Sequence, residues 1–319
     1  EKPSPIKAMA IAATDPMTTA PNTNKFKQAL EKLDFLVVMD IYMTPTAEMA
    51  DIVLPAATFL EKTDILHGNY QSIFSTPYAL LGKKAIDAPG EAWPDWKFWA
   101  KLARRMGHDE YFPWQTVDEL IDYYLEPSGV NVKHLMENPS GIPFGQLKDD
   151  EYYKLHPEEQ RFPTPSGKIE LYCATLEQMG YDPLPYYTEP PESPVSSPEI
   201  AKEYQLILTT GARIMEYKNR TLHNIPKLAK KAPEAMVEIH PQSADKYGVG
   251  DGDIVIVESK RGSIEIRARV TEEIIPGVIS IPYGWAECNV NILTDDAPAC
   301  PESGYPSLKS VLCRLKKKT

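Results

Sequence analysis

The sequence of 319 residues lacks long apolar runs, a glycine-rich phosphate loop and closely spaced cysteines. No apolar run approaches the roughly 20 residues that span a bilayer, so no membrane span is expected. The G-x-G-x-x-G pattern is absent, and an ordinary NAD site is therefore not supported. The four cysteines form no CxxC pair, so we interpret each as a buried structural thiol and none as a metal ligand. They are Cys173, Cys288, Cys300 and Cys313.

The sequence also lacks an excess of positive charge, because 45 Asp and Glu outnumber 34 Lys and Arg and the formal net charge is −11 at pH 7. A nucleic-acid partner is not expected, since binding the phosphate backbone requires clustered Lys and Arg side chains. The basic run Lys316–Lys318 is interpreted as a solvated tail, with a docking patch for an acidic partner as the alternative. The sequence begins at Glu1 rather than Met, which leaves the location open between cytoplasm and periplasm.

The first part of the sequence alternates between short apolar runs and helical spacing. We expect strands at residues 6–13, 35–39 and 52–54 and helices at 22–33, 46–50, 95–106 and 116–125. A strand, helix, strand order implies a parallel sheet, whose ligands bind beyond the carboxyl ends of the strands. Thr14, Asp15 and Asp40 would lie at that edge.

A proline-rich segment marks the predicted domain boundary. Six prolines lie between Asp182 and Glu199, and proline cannot donate a backbone hydrogen bond to a helix or a central strand. We therefore predict domains at residues 1–182 and 200–319, joined by a linker at 183–199. Beyond it, alternating apolar residues predict the strands of a compact β-barrel. These strands lie at 205–209, 236–239, 253–257, 263–270 and 277–281.

Three segments carry motifs that are specific when taken together. The first reads VVMDIYMTPTAEMADIVLPA at residues 37–56, and the second reads TPSGKIE at 164–170. The third lies in the predicted barrel and comprises LTTGAR at 208–213, GVGDGD at 248–253 and NVNILT at 289–294. In this order they resemble the dimethyl sulfoxide reductase superfamily of molybdenum and tungsten enzymes.

The resemblance implies a partial, Rossmann-like α/β parallel-sheet domain followed by an all-β double-psi barrel. It also implies the cofactor, molybdopterin guanine dinucleotide carrying Mo or W. A carboxylate can accept paired hydrogen bonds from a guanine edge, and Asp40 and Asp51 are expected to converge on one guanine. The guanosine-side candidates are Thr14, Asp15, Thr19, Asp40, Asp51 and Asp95. For each aspartate the alternative is a helix cap or a turn residue.

In the barrel, glycine permits close backbone contact with a ligand and arginine supplies fixed donors. By resemblance, the cofactor-binding candidates there are Thr210, Gly211, Arg213, Asn289, Asn291 and Lys309. Residues 217–226 resemble the polysulfide and thiosulfate reductase branch, which also contains acetylene hydratase. Arg220 or His223 could therefore face substrate, although a lone histidine is more often structural and Lys309 could lie on the surface.

Family members usually begin with four cysteines that bind a [4Fe–4S] cluster and supply a metal ligand further on, and neither region is present here. We therefore expect a missing N-terminal half or a complementary subunit, with an electron-transfer subunit as a further partner. Our first hypothesis is part of an oxidoreductase of the sulfur-compound branch. The second is a non-catalytic dinucleotide-binding or scaffold subunit. The third is an unrelated barrel protein with a helical segment before the barrel.

Overall fold

The computed structural model describes residues 5–67, 78–143, 164–211, 214–217, 220–301 and 303–318. Residues up to Leu54 and from Thr188 onward form one compact unit, and Pro55–Tyr187 form a second. No helix in the described ranges is long and apolar enough to cross a membrane.

The first unit begins with a three-stranded α/β layer. Its elements are β1 (Ala8–Ala12), α1 (Pro16–Thr19), α2 (Thr23–Leu30), β2 (Phe35–Asp40) and β3 (Ile52–Pro55). The strands lie in the order β1-β2-β3, and β1 and β2 are parallel, as the strand, helix, strand pattern predicts. The apolar run that forms β2 is buried because its side chains pack against α2, with Val38 fully enclosed. Residues 46–50, expected to be helical, contain only a 3-10 turn, Ala47–Met49.

The second unit combines a small antiparallel sheet with helices. Its elements are β4 (Asp64–His67), β5 (Tyr78–Gly82), α3 (Asp95–Arg105), α4 (Val117–Leu125), α5 (Val132–Glu137), β6 (Ile142–Pro143) and α6 (Ala174–Gln178). The two longer predicted helices are confirmed as α3 and α4, and Thr116 caps α4 by accepting a hydrogen bond from the Glu119 amide. The sheet β4-β5-β6 was not expected, because its strands are short and carry no clear alternation.

The remaining part of the first unit is the barrel. Its elements are α7 (Pro198–Glu203), β7 (Leu206–Thr210), α8 (Pro226–Ala229), β8 (Met236–Ile239), α9 (Pro241–Tyr247), β9 (Ile254–Ser259), β10 (Gly262–Val270), β11 (Val278–Ile281) and β12 (Val311–Lys317). The strands close in the order β10-β8-β11-β7-β12-β9, with both parallel and antiparallel pairs. Alternating residues of β9 and β10, including Val255, Val257 and Ile266, point into the core. The predicted β-barrel is confirmed.

The basic run near the C-terminus is not a solvated tail. Lys316 and Lys317 belong to β12, which closes the barrel between β7 and β9. Lys316 pairs with Glu258, and Lys317 pairs with Asp253 at 2.7 Å. The prediction failed because a run of charges at a chain end contains no sign that its backbone completes a barrel.

The chain passes from the second compact unit to the first between Tyr187 and Thr188, within the predicted linker at 183–199, but the residues up to Leu54 group with the barrel. The first sheet packs with the barrel, because Asn22 and Lys25 at the start of α2 bond to Asp296 in the loop before β12. Asn24 adds a hydrogen bond to the carbonyl of Arg261. Residues up to Leu54 therefore form one compact unit with the barrel, although the sequence predicts a single domain over residues 1–182.

The predicted linker contains a buried anchor. Glu192 is only 8% exposed and accepts hydrogen bonds from the Arg261 guanidinium and from the Leu312 amide, the latter at 2.8 Å. Its own carbonyl accepts a hydrogen bond from Ser310, and Arg261 also pairs with Asp295. The proline-rich segment is thus fastened to the barrel rather than left as a free connector.

Burial alone would raise the pKa of the Glu192 carboxyl, but the hydrogen bonds from Arg261 and the Leu312 amide hold it below its usual range. The contribution of Glu192 to the stability of the fold is therefore fully present above the ordinary Glu pKa of about 4.3. It is lost as the pH falls through the lower pKa that Glu192 has in the folded protein.

We expect Glu192→Gln to lower the free energy of unfolding at neutral pH by roughly 1.5 to 3 kcal/mol, since it removes hydrogen bonds made to a charged group. Urea unfolding at neutral pH and below about pH 4 measures this, and the difference from the parent should shrink in acid. Glu199→Gln is the control, because Glu199 forms an exposed pair with Lys202 and such pairs contribute little. Equal losses in both variants would contradict the assignment of Glu192 as an anchor.

Candidate functional site

The chain turns sharply at Ala13, directly after β1. Ala13 has φ 56°, in the left-handed region that residues with a side chain seldom adopt, and its amide bonds to the Met39 carbonyl at 3.1 Å. The next residue, Thr14, is exposed. The turn therefore presents Thr14 at the ligand edge of the sheet, where the sequence predicts it.

Asp15 is enclosed by its own loop. One carboxylate oxygen accepts hydrogen bonds from the Thr46 amide at 3.2 Å and hydroxyl at 2.6 Å, and the other accepts one from the Thr18 hydroxyl at 2.5 Å. The residue is 6% exposed, and its backbone carbonyl accepts the Thr19 hydroxyl at 2.9 Å. Asp15 and Thr19 therefore hold the loop after β1, and their placement does not support direct ligand contact. Thr46 was missed as a partner, although it lies in the motif at residues 37–56.

Asp40 ends β2 at the same edge as Thr14. Its Oδ1 accepts hydrogen bonds from the amides of Ile41 at 2.7 Å and Tyr42 at 3.2 Å, which makes it a turn residue as well as an edge residue. The apolar side chains that follow, from Ile41 to Met43, are at least half exposed. This edge therefore combines a carboxylate with exposed apolar side chains.

Asp51 lies at the other end of β2. Its carboxylate accepts a hydrogen bond from the Leu36 amide at 2.7 Å, and its own amide donates to the Leu36 carbonyl. Leu36 is the second residue of β2 and Asp40 is the last, a separation of about 13 Å along a strand. The expected convergence of Asp40 and Asp51 on one guanine is therefore wrong.

Asp95 belongs to the second compact unit and opens α3. Its carboxylate pairs with Lys62 at 3.0 Å, and Lys62 also contacts Asp64. Burial alone would lower the pKa of Lys62, but the hydrogen bonds and charges of Asp95 and Asp64 together raise it. Asp95 is thus a first-turn acid that holds a neighbouring cation.

At the end of β7, the chain passes under a lysine. Thr210 donates a hydrogen bond to the Leu308 carbonyl at 2.7 Å, and Gly211 follows with φ 89°. A Cβ at Gly211 would meet the Lys309 ammonium at 3.4 Å. The exposed Lys309 therefore places a positive charge over a bare backbone segment, as an anionic ligand requires. Arg213 lies outside the described residues.

The two asparagines are structural in this fold. Asn289 donates to the Met17 carbonyl at 2.7 Å and to the Thr23 hydroxyl at 3.1 Å. Asn291 donates to the Thr18 carbonyl at 3.0 Å, and both side chains are buried. They join the barrel to α1 and α2, and their placement does not support pterin contact.

Arg220 brings a barrel loop to the edge of the first sheet, because its Nε lies 3.8 Å from Asp15 Oδ2. His223 lies between two aromatic rings, with its centroid 4.2 Å from Tyr217 and 4.4 Å from Trp285. Leu222 beside it has φ 79°. Packing between rings favours a structural role for His223, whereas Arg220 remains half-buried at the site.

The described residues contain no group of three or more His, Cys, Asp or Glu that could hold an ion. Cys313 and Cys288 are buried, and burial raises the pKa of the Cys288 thiol to about 11. Cys173 is only partly buried and Cys300 is exposed, so the expectation of four buried thiols is wrong for these two.

Comparisons with known proteins identify the architecture. Residues 206–312 match the family model described as "Molydopterin dinucleotide binding domain", and residues 1–105 match the one described as "Molybdopterin oxidoreductase". The solved structure of acetylene hydratase from Pelobacter acetylenicus superposes with a TM-score of 0.82 at 31% identity, covering 100% of this chain and 45% of that one. The chain belongs to the molybdopterin oxidoreductases of the dimethyl sulfoxide reductase superfamily.

Curated molybdopterin enzymes of several activities are similar to it. Acetylene hydratase of Syntrophotalea acetylenica is 34% identical over 97% of this chain and 43% of its own length. A formate dehydrogenase alpha subunit of Methanococcus maripaludis is 31% identical over 98% of this chain and 43% of its own. A thiosulfate reductase molybdopterin-containing subunit of Salmonella typhimurium is 29% identical over 89% and 38%. The chain spans less than half the length of these relatives, in their C-terminal portion.

The residues of the first unit suit a molybdopterin dinucleotide. Its phosphates are anionic, and Lys309 lies over the Gly211 backbone while Arg220 lies at the sheet edge. A nucleoside offers donors and hydroxyls, and Asp40 and Thr14 are placed at that edge. The side chains at this edge and beside Gly211 are thus of the chemical types that the cofactor needs.

We expect Asn289→Ala to lower the free energy of unfolding by about 1 to 3 kcal/mol, because the Met17 carbonyl and the Thr23 hydroxyl lose a buried donor. Thermal or urea unfolding measures the change. Lys309→Ala is the control and should stay within about 0.5 kcal/mol, since Lys309 is exposed. A stable Asn289→Ala protein that fails to retain nucleotide would restore Asn289 as a cofactor ligand.

Proposed function

We propose that this chain holds the guanine nucleotide end of molybdopterin guanine dinucleotide in a molybdenum or tungsten oxidoreductase. The observation that carries the proposal is the ion pair of Arg220 with Asp15. It joins a loop of the barrel to the carboxyl edge of the first sheet, so that one ligand can touch both. Ligands of open α/β sheets bind at that edge.

Different residues of the chain would bind different parts of the ligand. Lys309 neutralises phosphate charge above Gly211, where the absence of a Cβ permits close approach. Asp40 accepts hydrogen bonds from the guanine edge, and Thr14 is placed to meet a ribose hydroxyl. When bound, the cofactor supplies a metal ion that takes part in the reaction of substrate. The protein's part here is to bind and orient the cofactor.

Activity of the whole enzyme requires more polypeptide than this chain. We assign the electron-entry [4Fe–4S] cluster and the protein ligand of the metal to a further segment or subunit that binds it, because the chain corresponds to about 43% of its relatives. An electron-transfer subunit is a further proposed partner. The proposed branch is that of the sulfur-compound reductases, supported by the thiosulfate reductase relative.

The second candidate is a hydratase, which the acetylene hydratase relative and the superposed structure favour. The reassembled enzyme should be assayed with thiosulfate and with acetylene. Thiosulfate reduction without acetylene hydration supports the first candidate, and the reverse result supports the second.

Asp40→Asn tests the nucleotide site, because Asn keeps the Oδ1 acceptor for the Ile41 and Tyr42 amides but cannot accept two guanine donors as a carboxylate does. We expect the affinity for guanine nucleotide to fall by roughly tenfold to a hundredfold, the equivalent of about 1.5 to 3 kcal/mol of binding free energy. The purified variant should therefore retain less nucleotide. The thermal midpoint should stay unchanged. Nucleotide content and thermal midpoint are measured on the same preparation.

Asp40→Ala is the companion variant, since it removes both the turn acceptor and the guanine acceptor. It should lose nucleotide and also about 1 kcal/mol of stability. If Asp40→Asn keeps its nucleotide while Asp40→Ala loses stability alone, Asp40 is a turn residue and leaves the site.

The purified chain should show no iron–sulfur absorbance and should not reduce thiosulfate with a dye donor, because we assign the cluster and the protein ligand of the metal to a further segment or subunit. Addition of the segment that carries the cluster cysteines should restore turnover. Turnover by the chain alone would overturn the division of roles.

A further inference from the structure

We propose that Arg220 binds a phosphate or another oxyanion and that Asp15 is its positioning residue rather than a ligand of the cofactor. This inference rests on the proposed function and deepens it. It gives Asp15, a predicted nucleoside ligand, a positioning role, and it extends the ligand of Arg220 from a substrate to a phosphate.

Asp15 is held so firmly that it can set the position of another group. Its carboxylate accepts three hydrogen bonds, two from Thr46 and one from Thr18, and its side chain is 4% exposed. The loop that carries it follows Ala13, whose left-handed backbone is maintained by the contacts around it. A carboxylate so enclosed is not accessible to a guanine edge, but it presents a fixed negative charge to Arg220.

Arg220 keeps most of its donors for a ligand. Its Nε faces Asp15 Oδ2 at 3.8 Å, beyond hydrogen-bond distance, and its side chain is 28% exposed. Guanidinium has five N–H donors in a planar fork that matches an oxyanion. Within the described ranges, no oxygen accepts a hydrogen bond from this guanidinium. Asp15 therefore orients the cation electrostatically and leaves the fork open.

Two oxyanions could supply the ligand. The diphosphate of the dinucleotide is one, and an oxyanion substrate such as thiosulfate is the other. The recognition chemistry is the same for both, a bidentate pair between guanidinium and oxygen, and the experiment separates the sources.

The full chain is titrated calorimetrically with pyrophosphate, GDP and thiosulfate. The variants are Arg220→Gln, Arg220→Lys, Asp15→Asn and the double variant of Arg220→Gln with Asp15→Asn. Arg269→Gln is the matched control, because it removes the same charge from an exposed ion pair on the barrel. Thermal midpoints are recorded for every variant.

We expect Arg220→Gln to weaken pyrophosphate and GDP binding by about tenfold, with partial rescue in Arg220→Lys. Asp15→Asn should weaken both ligands in parallel, and the double variant should be no worse than Arg220→Gln, since both act through one group. Arg269→Gln should bind as the parent does. If thiosulfate binding depends on Arg220, a substrate oxyanion is a second ligand of Arg220. If it does not, the diphosphate of the dinucleotide is the ligand.

Three results would overturn the inference. Arg220→Gln could bind pyrophosphate and GDP as the parent does, or no oxyanion could bind to the parent at all. Asp15→Asn could weaken GDP and leave pyrophosphate unchanged, which would make Asp15 a nucleoside ligand. GDP binding that does not depend on Arg220 would leave the proposed function standing, whereas failure of the parent to bind GDP would remove the proposed function itself.

Discussion

The side-chain amides of Asn289 and Asn291 hold the first sheet against the barrel, and the site depends on that contact. Both are buried and donate to carbonyls of the segment around α1. An unmet donor or acceptor in this position would cost about 1 to 3 kcal/mol, so the pairing specifies one arrangement of the two parts. Because the two parts lie together, Arg220 of the barrel reaches the loop that follows β1.

Burial separates the polar residues of the site into two groups. Asp15, Asn289 and Asn291 have their hydrogen bonds met inside the protein and maintain its geometry. Thr14, at the carboxyl edge of the first sheet, and Lys309, beside Gly211 in the barrel, are exposed. A dinucleotide binds to exposed polar groups, since only these can exchange water for a ligand without losing hydrogen bonds that hold the fold.

The charges of the chain are distributed in a way that suits an anionic cofactor despite the net charge of −11. Many surface cations are engaged in local pairs, as Lys316 and Arg314 are with Glu258 on the barrel. Lys309 lies beside the bare Gly211 backbone, and Arg220 faces the buried Asp15 carboxylate at 3.8 Å. The proposed site thus contains two cations whose charge complements that of a phosphate.

The sequence by itself determined the alternation of β1, α2 and β2, the closed barrel and the family, because these follow from apolar periodicity and from ordered motifs that are read locally. It also placed Thr14 and Asp40 at one edge, since the carboxyl ends of parallel strands coincide.

The tertiary structure alone decided which polar residues are free to bind. Asp51 bonds to Leu36 at the far end of β2, and Glu192 in the proline-rich segment is paired with Arg261. Lys317 became part of a strand instead of a tail. The reason is physical: a side chain's partner is set by residues distant in sequence, and a motif records the type of a residue but not whether its hydrogen bonds are already satisfied.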